Sequence, residues 1–277
     1  MRRLKRLTAI LVLSLTFGCG GSDGSGPPIG VPAPVIYGLD SANTLVVFRA
    51  TRPDLVTRTT AITGLQAAER VVGIDFRPAD GKLYAVGTSS RIYVVDTTSG
   101  VATAVGTVPF TPVLLGTAFG IDFNPVVDRL RAVSDTDQNL RLDPVTGGVA
   151  GVDTALAYAA GDPGLGVNPS VVAVAYTNSV PGAATTTLYG IDAGRAVLVT
   201  LASPNGGQLT TVGSLGVSTS RFVGFDIAGA TGIGYVTLVP PAATTSRFYV
   251  VNLGTGGVTL TGNVNHGVPL VGITVHR

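Results

Sequence analysis

A seven-residue phrase recurs along the chain at intervals near fifty residues, and that period restricts the fold more than any other feature. Val72-Gly73-Ile74-Asp75-Phe76-Arg77-Pro78 returns as Phe119-Gly120-Ile121-Asp122-Phe123-Asn124-Pro125. Weaker copies occupy 172–176, 223–227 and 271–275. The small residue in second place falls at Gly73, Gly120, Ala173, Gly224 and Gly272, in steps of 47, 53, 51 and 48 residues. A period of that size suits one propeller blade, a four-stranded antiparallel sheet.

The first full repeat divides into four apolar runs at 71–76, 82–87, 91–96 and 101–107. The turn-rich stretches Pro78-Ala79-Asp80-Gly81, Thr88-Ser89-Ser90 and Thr97-Thr98-Ser99-Gly100 separate them. The second repeat keeps the order at 129–133, 139–143 and 148–154. Composition agrees: Thr, Val and Gly dominate, whereas the helix formers Lys and Glu shrink to Lys5, Lys82 and Glu69. With 45% apolar and 12% charged residues, the chain can bury a large core.

The two ends are complementary. Residues 270–275 supply a first strand and the chain stops, while Val35-Ile36-Tyr37-Gly38-Leu39-Asp40 matches a second strand, as in Leu188-Tyr189-Gly190-Ile191-Asp192. Residues 44–50 and 57–64 then supply a third and a fourth. The expectation is an all-β, five-bladed propeller over 35–277, its last blade closed by N- and C-terminal strands. Closure of the ring leaves no long sheet edge exposed.

Ahead of the repeats, Arg2, Arg3, Lys5 and Arg6 precede a short apolar run at 7–17. A bilayer span needs about 20 apolar residues, so 1–18 reads as a signal peptide. Leu15-Thr16-Phe17-Gly18-Cys19 resembles the lipobox of bacterial lipoproteins. That resemblance implies acylation of Cys19 and cleavage before it, although Thr16 and Phe17 depart from the usual residues. Several acyl chains, at about 0.8 kcal/mol per buried methylene, would anchor the chain to membrane lipid. Gly20 follows the cysteine, with no Asp retention signal, so the expected location is the cell envelope, on the outer membrane where the organism has one. Residues 19–34 form the lipidated cysteine and a Gly/Ser/Pro tether. Cys19 is the only cysteine, which excludes an intrachain disulfide.

Loss of the four leader cations from 18 basic residues leaves 14 against 16 acidic ones, a net of about −2. No run of Lys and Arg remains, and nucleic acid is therefore not an expected partner. The chain is expected to be a monomer.

The stretches IYGLDSANTLVVF, VVGIDFRPADGKLYAVG, FGIDFNPVVDRLRAVSDTDQNLRLDP and TTTLYGIDAG resemble a bacterial family of exported proteins known as domain of unknown function 4394. The likeness spans roughly 35–277. It implies an exported, propeller-like domain and carries over no catalytic residue.

Candidate sites rest on the residues themselves. Loops joining second to third strands, and fourth strands to the next blade, share one propeller face. Here they are 88–90, 134–138, 155–170 and 263–269. Asp135, Asp137 and Asn139 alternate as in the start of a Ca²⁺ loop, but Leu140 and Thr146 exclude an EF-hand. The bland reading is a turn that caps a strand. Asp75, Asp122 and Asp226 occupy one strand position in three repeats. They either form a carboxylate ring that binds Ca²⁺ or another divalent ion, or accept hydrogen bonds from a neighbouring blade's backbone. Ala175 and Thr274 stand there in the other two repeats, so such a ring is incomplete. His266, in a loop of the ligand face, is a candidate base or ligand; His276 reads as structural. Glycan hydrolysis needs two placed carboxylates and usually aromatic platforms, and here there is one Glu, Glu69, and no Trp. Within 35–277, GxSxG, HExxH, P-loop and CxxC patterns are absent.

With no assembled catalytic set, the leading expectation is a cell-envelope binding or scaffold module that contacts a surface protein, glycan or small ligand. The alternatives are a metal-dependent hydrolase of the lactonase type and a purely structural envelope protein.

Overall fold

The computed structural model describes residues 33–276. The leader, Cys19 and the tether as far as residue 32 lie outside the described residues. The repeats fold as five antiparallel sheets arranged as blades. Blade 1 joins β1 (Val35–Asp40), β2 (Thr44–Arg49) and β3 (Arg52–Ala61) to the last strand, β21 (Leu270–His276). Blade 2 comprises β4 (Val71–Phe76), β5 (Leu83–Gly87), β6 (Arg91–Val95) and β7 (Ala102–Val105). Blade 3 comprises β8 (Phe119–Asn124), β9 (Arg129–Ser134), β10 (Asn139–Leu142) and β11 (Val149–Val152). Blade 4 contains β13 (Val171–Tyr176), β14 (Leu188–Asp192), β15 (Val197–Leu201) and β16 (Gln208–Ser214), with a short β12 (Ala157–Tyr158) on its outer edge. Blade 5 comprises β17 (Val223–Ile227), β18 (Gly234–Leu238), β19 (Arg247–Val251) and β20 (Val258–Asn263).

The expected closure is present. β21 pairs antiparallel with β1, placing Val35 opposite His276 and Ile36 opposite Val275. The innermost strands β21, β4, β8, β13 and β17 contact one another in that order and back again, which encloses a central channel.

Blades pack face to face, so each sheet buries both faces and its central strands read as continuous apolar runs. β5 and β13 are buried along their whole length. The core is accordingly divided into five layers, one between each pair of neighbouring blades. Edge-to-face ring pairs cross these layers at equivalent places: Tyr37 with Phe76 and Tyr84 with Phe123, both 5.2 Å between centroids. Outer strands such as β3 alternate between sheltered and exposed residues because only one side meets protein there.

Two details depart from the sequence reading. The outer strand of blade 1 begins at Arg52 and not near residue 57, because a tight turn at Ala50 and Thr51 pairs Arg49 with Arg52. Pro53 is tolerated on this edge, where its missing N–H costs no ladder bond. The 155–170 connection is not wholly a surface loop. Its β12 segment pairs in parallel with β16, and Leu156 and Tyr158 enter the layer between blades 3 and 4.

Candidate functional site in the central channel

From the ends at which the inner strands begin, the channel shows three levels. The mouth is a cavity of about 230 Å³. Ser41 and Thr88, from second-to-third-strand turns, and Arg70, Thr117 and Arg221, from connections between blades, supply its polar lining. This is the loop class expected on the ligand face. Val71, Val72, Phe119, Val172 and Val271 form the apolar floor.

Below it the channel narrows to about 10 Å³, room for no more than one water. The repeating small residue produces this neck. A Cβ on Gly224 would lie 2.6 Å from the Ile273 backbone nitrogen, and one on Gly120 would lie 2.7 Å from that of Val174. Glycine is needed where the backbones of adjacent blades approach this closely.

Two residues further along the inner strands lie Asp75, Asp122 and Asp226. One oxygen from each falls within 4.8 Å of the others, and the side chains are only 3%, 2% and 4% exposed. Each also reaches a neighbouring blade's backbone. Asp75 Oδ2 accepts Phe123 N–H (2.8 Å), Asp122 Oδ1 accepts Tyr176 N–H (3.1 Å) and Asp226 Oδ2 accepts Val275 N–H (2.6 Å). Asp75 and Asp226 additionally take the N–H of Phe76 and Ile227 (2.7 and 2.6 Å), and Thr274 Oγ1 donates to Asp75 (2.8 Å).

Burial raises the Asp122 carboxyl well above the usual carboxylate range, reinforced by Asp75 and then Asp226. Burial and the Asp75 charge raise Asp226 in the same direction, against the bonds from Val275 and Ile227. Like charges this close in a buried site must be relieved by protons or by a cation. Three carboxylates are a donor set that a hard divalent cation accepts.

The other candidates are dispersed. Asp135 accepts the N–H (2.8 Å) and hydroxyl (2.6 Å) of Thr117, and these bonds hold its carboxyl below the usual range despite burial. Asn139 Oδ1 accepts from Arg131 (2.7 Å) and its amide donates to Thr154 and Pro204 carbonyls. Asp137 has one buried oxygen without a partner among the described residues, and burial raises its carboxyl. The three do not converge. His266 Nε2 lies 2.8 Å from Asp40 Oδ2 and is not one of the residues that line the mouth. His276 packs edge-on against Phe76.

Glu69 is buried and accepts the N–H groups of Gln66 and Ser89 and the hydroxyls of Ser89 and Tyr93. It ties the blade 1–2 connection to blade 2. Sequence reasoning missed Arg131, which is 2% exposed and bonded to Asp153, Asn139 and Asn205. It also missed the two arginines of the mouth.

The architecture defines a five-bladed β-propeller with a sealed carboxylate cluster beneath an open channel mouth. The chain belongs to the family described as domain of unknown function DUF4394, whose model matches residues 44–274. No curated protein matches it. Among solved structures it is similar to a chain of a nidogen/laminin complex, at 12% identity and a TM-score of 0.53, covering 88% of this chain and 98% of that one. It is similar also to the Dos1 propeller, at 12% identity, TM-score 0.43, and 78% and 53% coverage. A third match is PorZ, a surface component of the type-IX secretion system of Porphyromonas gingivalis, at 14% identity, TM-score 0.41, and 82% and 26% coverage.

Proposed function

We propose that this protein is an exported cell-envelope module, anchored through acylated Cys19, that binds a ligand at the channel mouth. The observation that carries the binding reading is the mouth cavity. It opens on the face where connecting loops gather, while the neck below it is closed by backbone contact. The leader, the lipobox-like Leu15–Cys19 stretch and the tether support export and anchoring. Labelled palmitate tests the anchor: wild-type protein should incorporate it and sediment with membranes, and Cys19→Ser should do neither. Unlabelled, soluble wild-type protein overturns that part.

The metal-dependent hydrolase is the second reading, favoured by the meeting of Asp75, Asp122 and Asp226. A catalytic metal needs an open coordination position, yet these carboxylates are sealed beneath the neck. A cation held there fits a stabilising role better than a hydrolytic one. Lactone or ester turnover that EDTA abolishes and one divalent ion restores would reverse this preference.

A further inference from the structure

We infer that the channel mouth is a site for a small monocarboxylate with a short apolar body. This rests on the reading of the mouth as a binding site and adds the chemistry of its ligand. Arg70 and Arg221 both line the cavity, and none of its lining residues is acidic. Neither arginine forms an ion pair among the described residues. Arg70 Nη1 makes only a long contact of 3.4 Å with the Ser41 carbonyl, and the Arg221 guanidinium lies 5.4 Å from the Phe222 ring centroid.

The nearby acids are already engaged. Asp135 is held by Thr117, and Glu69 by Gln66, Ser89 and Tyr93. Asp40 accepts the N–H groups of Ala42 and Thr44 and faces His266. None of them lies within ion-pair distance of either guanidinium group. Nor does the fold require an arginine at the place of Arg70. Three residues before the repeating small residue, where Arg70 precedes Gly73, the other blades carry Thr117, Ser170, Arg221 and Pro269, so only the two arginines of the mouth share this choice.

A guanidinium presents paired donors that suit a carboxylate, and the valine and phenylalanine floor offers an apolar seat behind it. Arg70 precedes β4 and Arg221 precedes β17, so the two stand on either side of β21, whose Val271 contributes to the floor. The cavity is smaller than the roughly 300–1,000 Å³ of drug-sized sites. The neck seals its base, so the ligand is short and enters from one side.

The test uses the full chain carrying Cys19→Ser, with hexanoate and its neutral counterpart hexanamide followed by ligand-observed NMR. Hexanoate should bind saturably, and about tenfold more tightly than hexanamide. Arg70→Gln and Arg221→Gln should each weaken hexanoate about tenfold, leave hexanamide unchanged and keep the unfolding midpoint. Lys82→Gln, remote from the mouth, should alter nothing. Equal binding of both probes, or hexanoate binding indifferent to both arginine variants, overturns the carboxylate proposal while leaving a binding cavity. Absence of saturable binding by either probe overturns the proposal and withdraws support from the cavity as a binding site.

Discussion

Asp122→Asn should stabilise the cation-free protein at neutral pH, although it alters a buried side chain that accepts a backbone hydrogen bond. The amide oxygen can still accept Tyr176 N–H, so that bond survives. The charge conflict does not. Two carboxylates within 4.8 Å repel by at least about 3.5 kcal/mol at an effective dielectric near 20. The alternative, holding one proton at pH 7 on a group that ionises near 3.9 when unfolded, costs about 4 kcal/mol. The native state suffers the lesser penalty, and the substitution should recover about 2–4 kcal/mol of it. The sign follows from linkage. Asp122 and Asp226 are raised on folding, so the native state holds more protons than the unfolded one. Their contribution is fully present below the unfolded pKa of about 3.9 and is lost as pH rises through the elevated folded values. Urea unfolding in EDTA from pH 4.5 to 8 should therefore show wild-type stability falling with pH and that of the Asp122→Asn variant falling less. If Asp122→Asn is destabilising at pH 7 and both chains give the same slope, the carboxylates are not in conflict and the reasoning fails. A divalent ion at one hundred times its dissociation constant adds about 2.7 kcal/mol to a chain that binds it, and should therefore cancel most of the advantage of Asp122→Asn.

Other substitutions probe the frame around this cluster. Gly224→Ala would set a Cβ 2.6 Å from the Ile273 nitrogen and 2.7 Å from the Gly272 carbonyl carbon, and should cost about 1–3 kcal/mol in chemical denaturation. Gly87→Ala would bring a Cβ within 2.0 Å of Glu69 Oε1; expulsion of that carboxylate from its donors should lower the thermal midpoint. Arg131→Ala should cost about 3–5 kcal/mol by unpairing buried groups, whereas Arg141→Ala should cost less, since Arg131 still holds Asp153 at 2.6 Å.

The blades were legible because a propeller repeats its physics. Each inner strand needs a small residue at the neck, and the third-to-fourth-strand turns of blades 2, 3 and 5 share an Asx acceptor and a left-handed glycine. Asp96 and Asp143 accept turn N–H groups two and three residues on, followed by Gly100 and Gly147 at φ of +77° and +76°. Such requirements mark the sequence at fixed intervals. The Arg131 network left no such mark, because its partners Asp153 and Asn205 lie 22 and 74 residues away. The β12 strand was hidden for a related reason: two residues are too few for periodicity, and its partner β16 is remote in sequence. The mouth arginines are single exposed residues, ordinary until the ring closes around them.

The aspartate positions hold the most instructive gap between pattern and structure. Counted along the sequence, three acids in five repeats make a broken ring, with Ala175 and Thr274 in the missing places. Counted by hydrogen bonds, nothing is missing. The innermost strand of every blade turns an edge to the channel, and the N–H one residue beyond the aspartate position has no strand opposite it. There are five such donors: Phe76, Phe123, Tyr176, Ile227 and Val275. Asp75 accepts the first two, Asp122 the third and Asp226 the last two. Since a carboxylate has two oxygens and can reach its own strand and the next, three suffice where one per blade would crowd five charges together. Buried N–H groups left without partners cost about 1–3 kcal/mol each, so the set offsets a substantial penalty while confining the electrostatic conflict to three groups. Ala175 is then explained by Asp122, which serves its blade from the neighbouring one. Thr274 is explained by the hydroxyl it donates to Asp75. The same economy that closes the channel's backbone leaves a charge cluster in need of a proton or a cation, so the way the channel is sealed should itself make the protein's stability depend on pH.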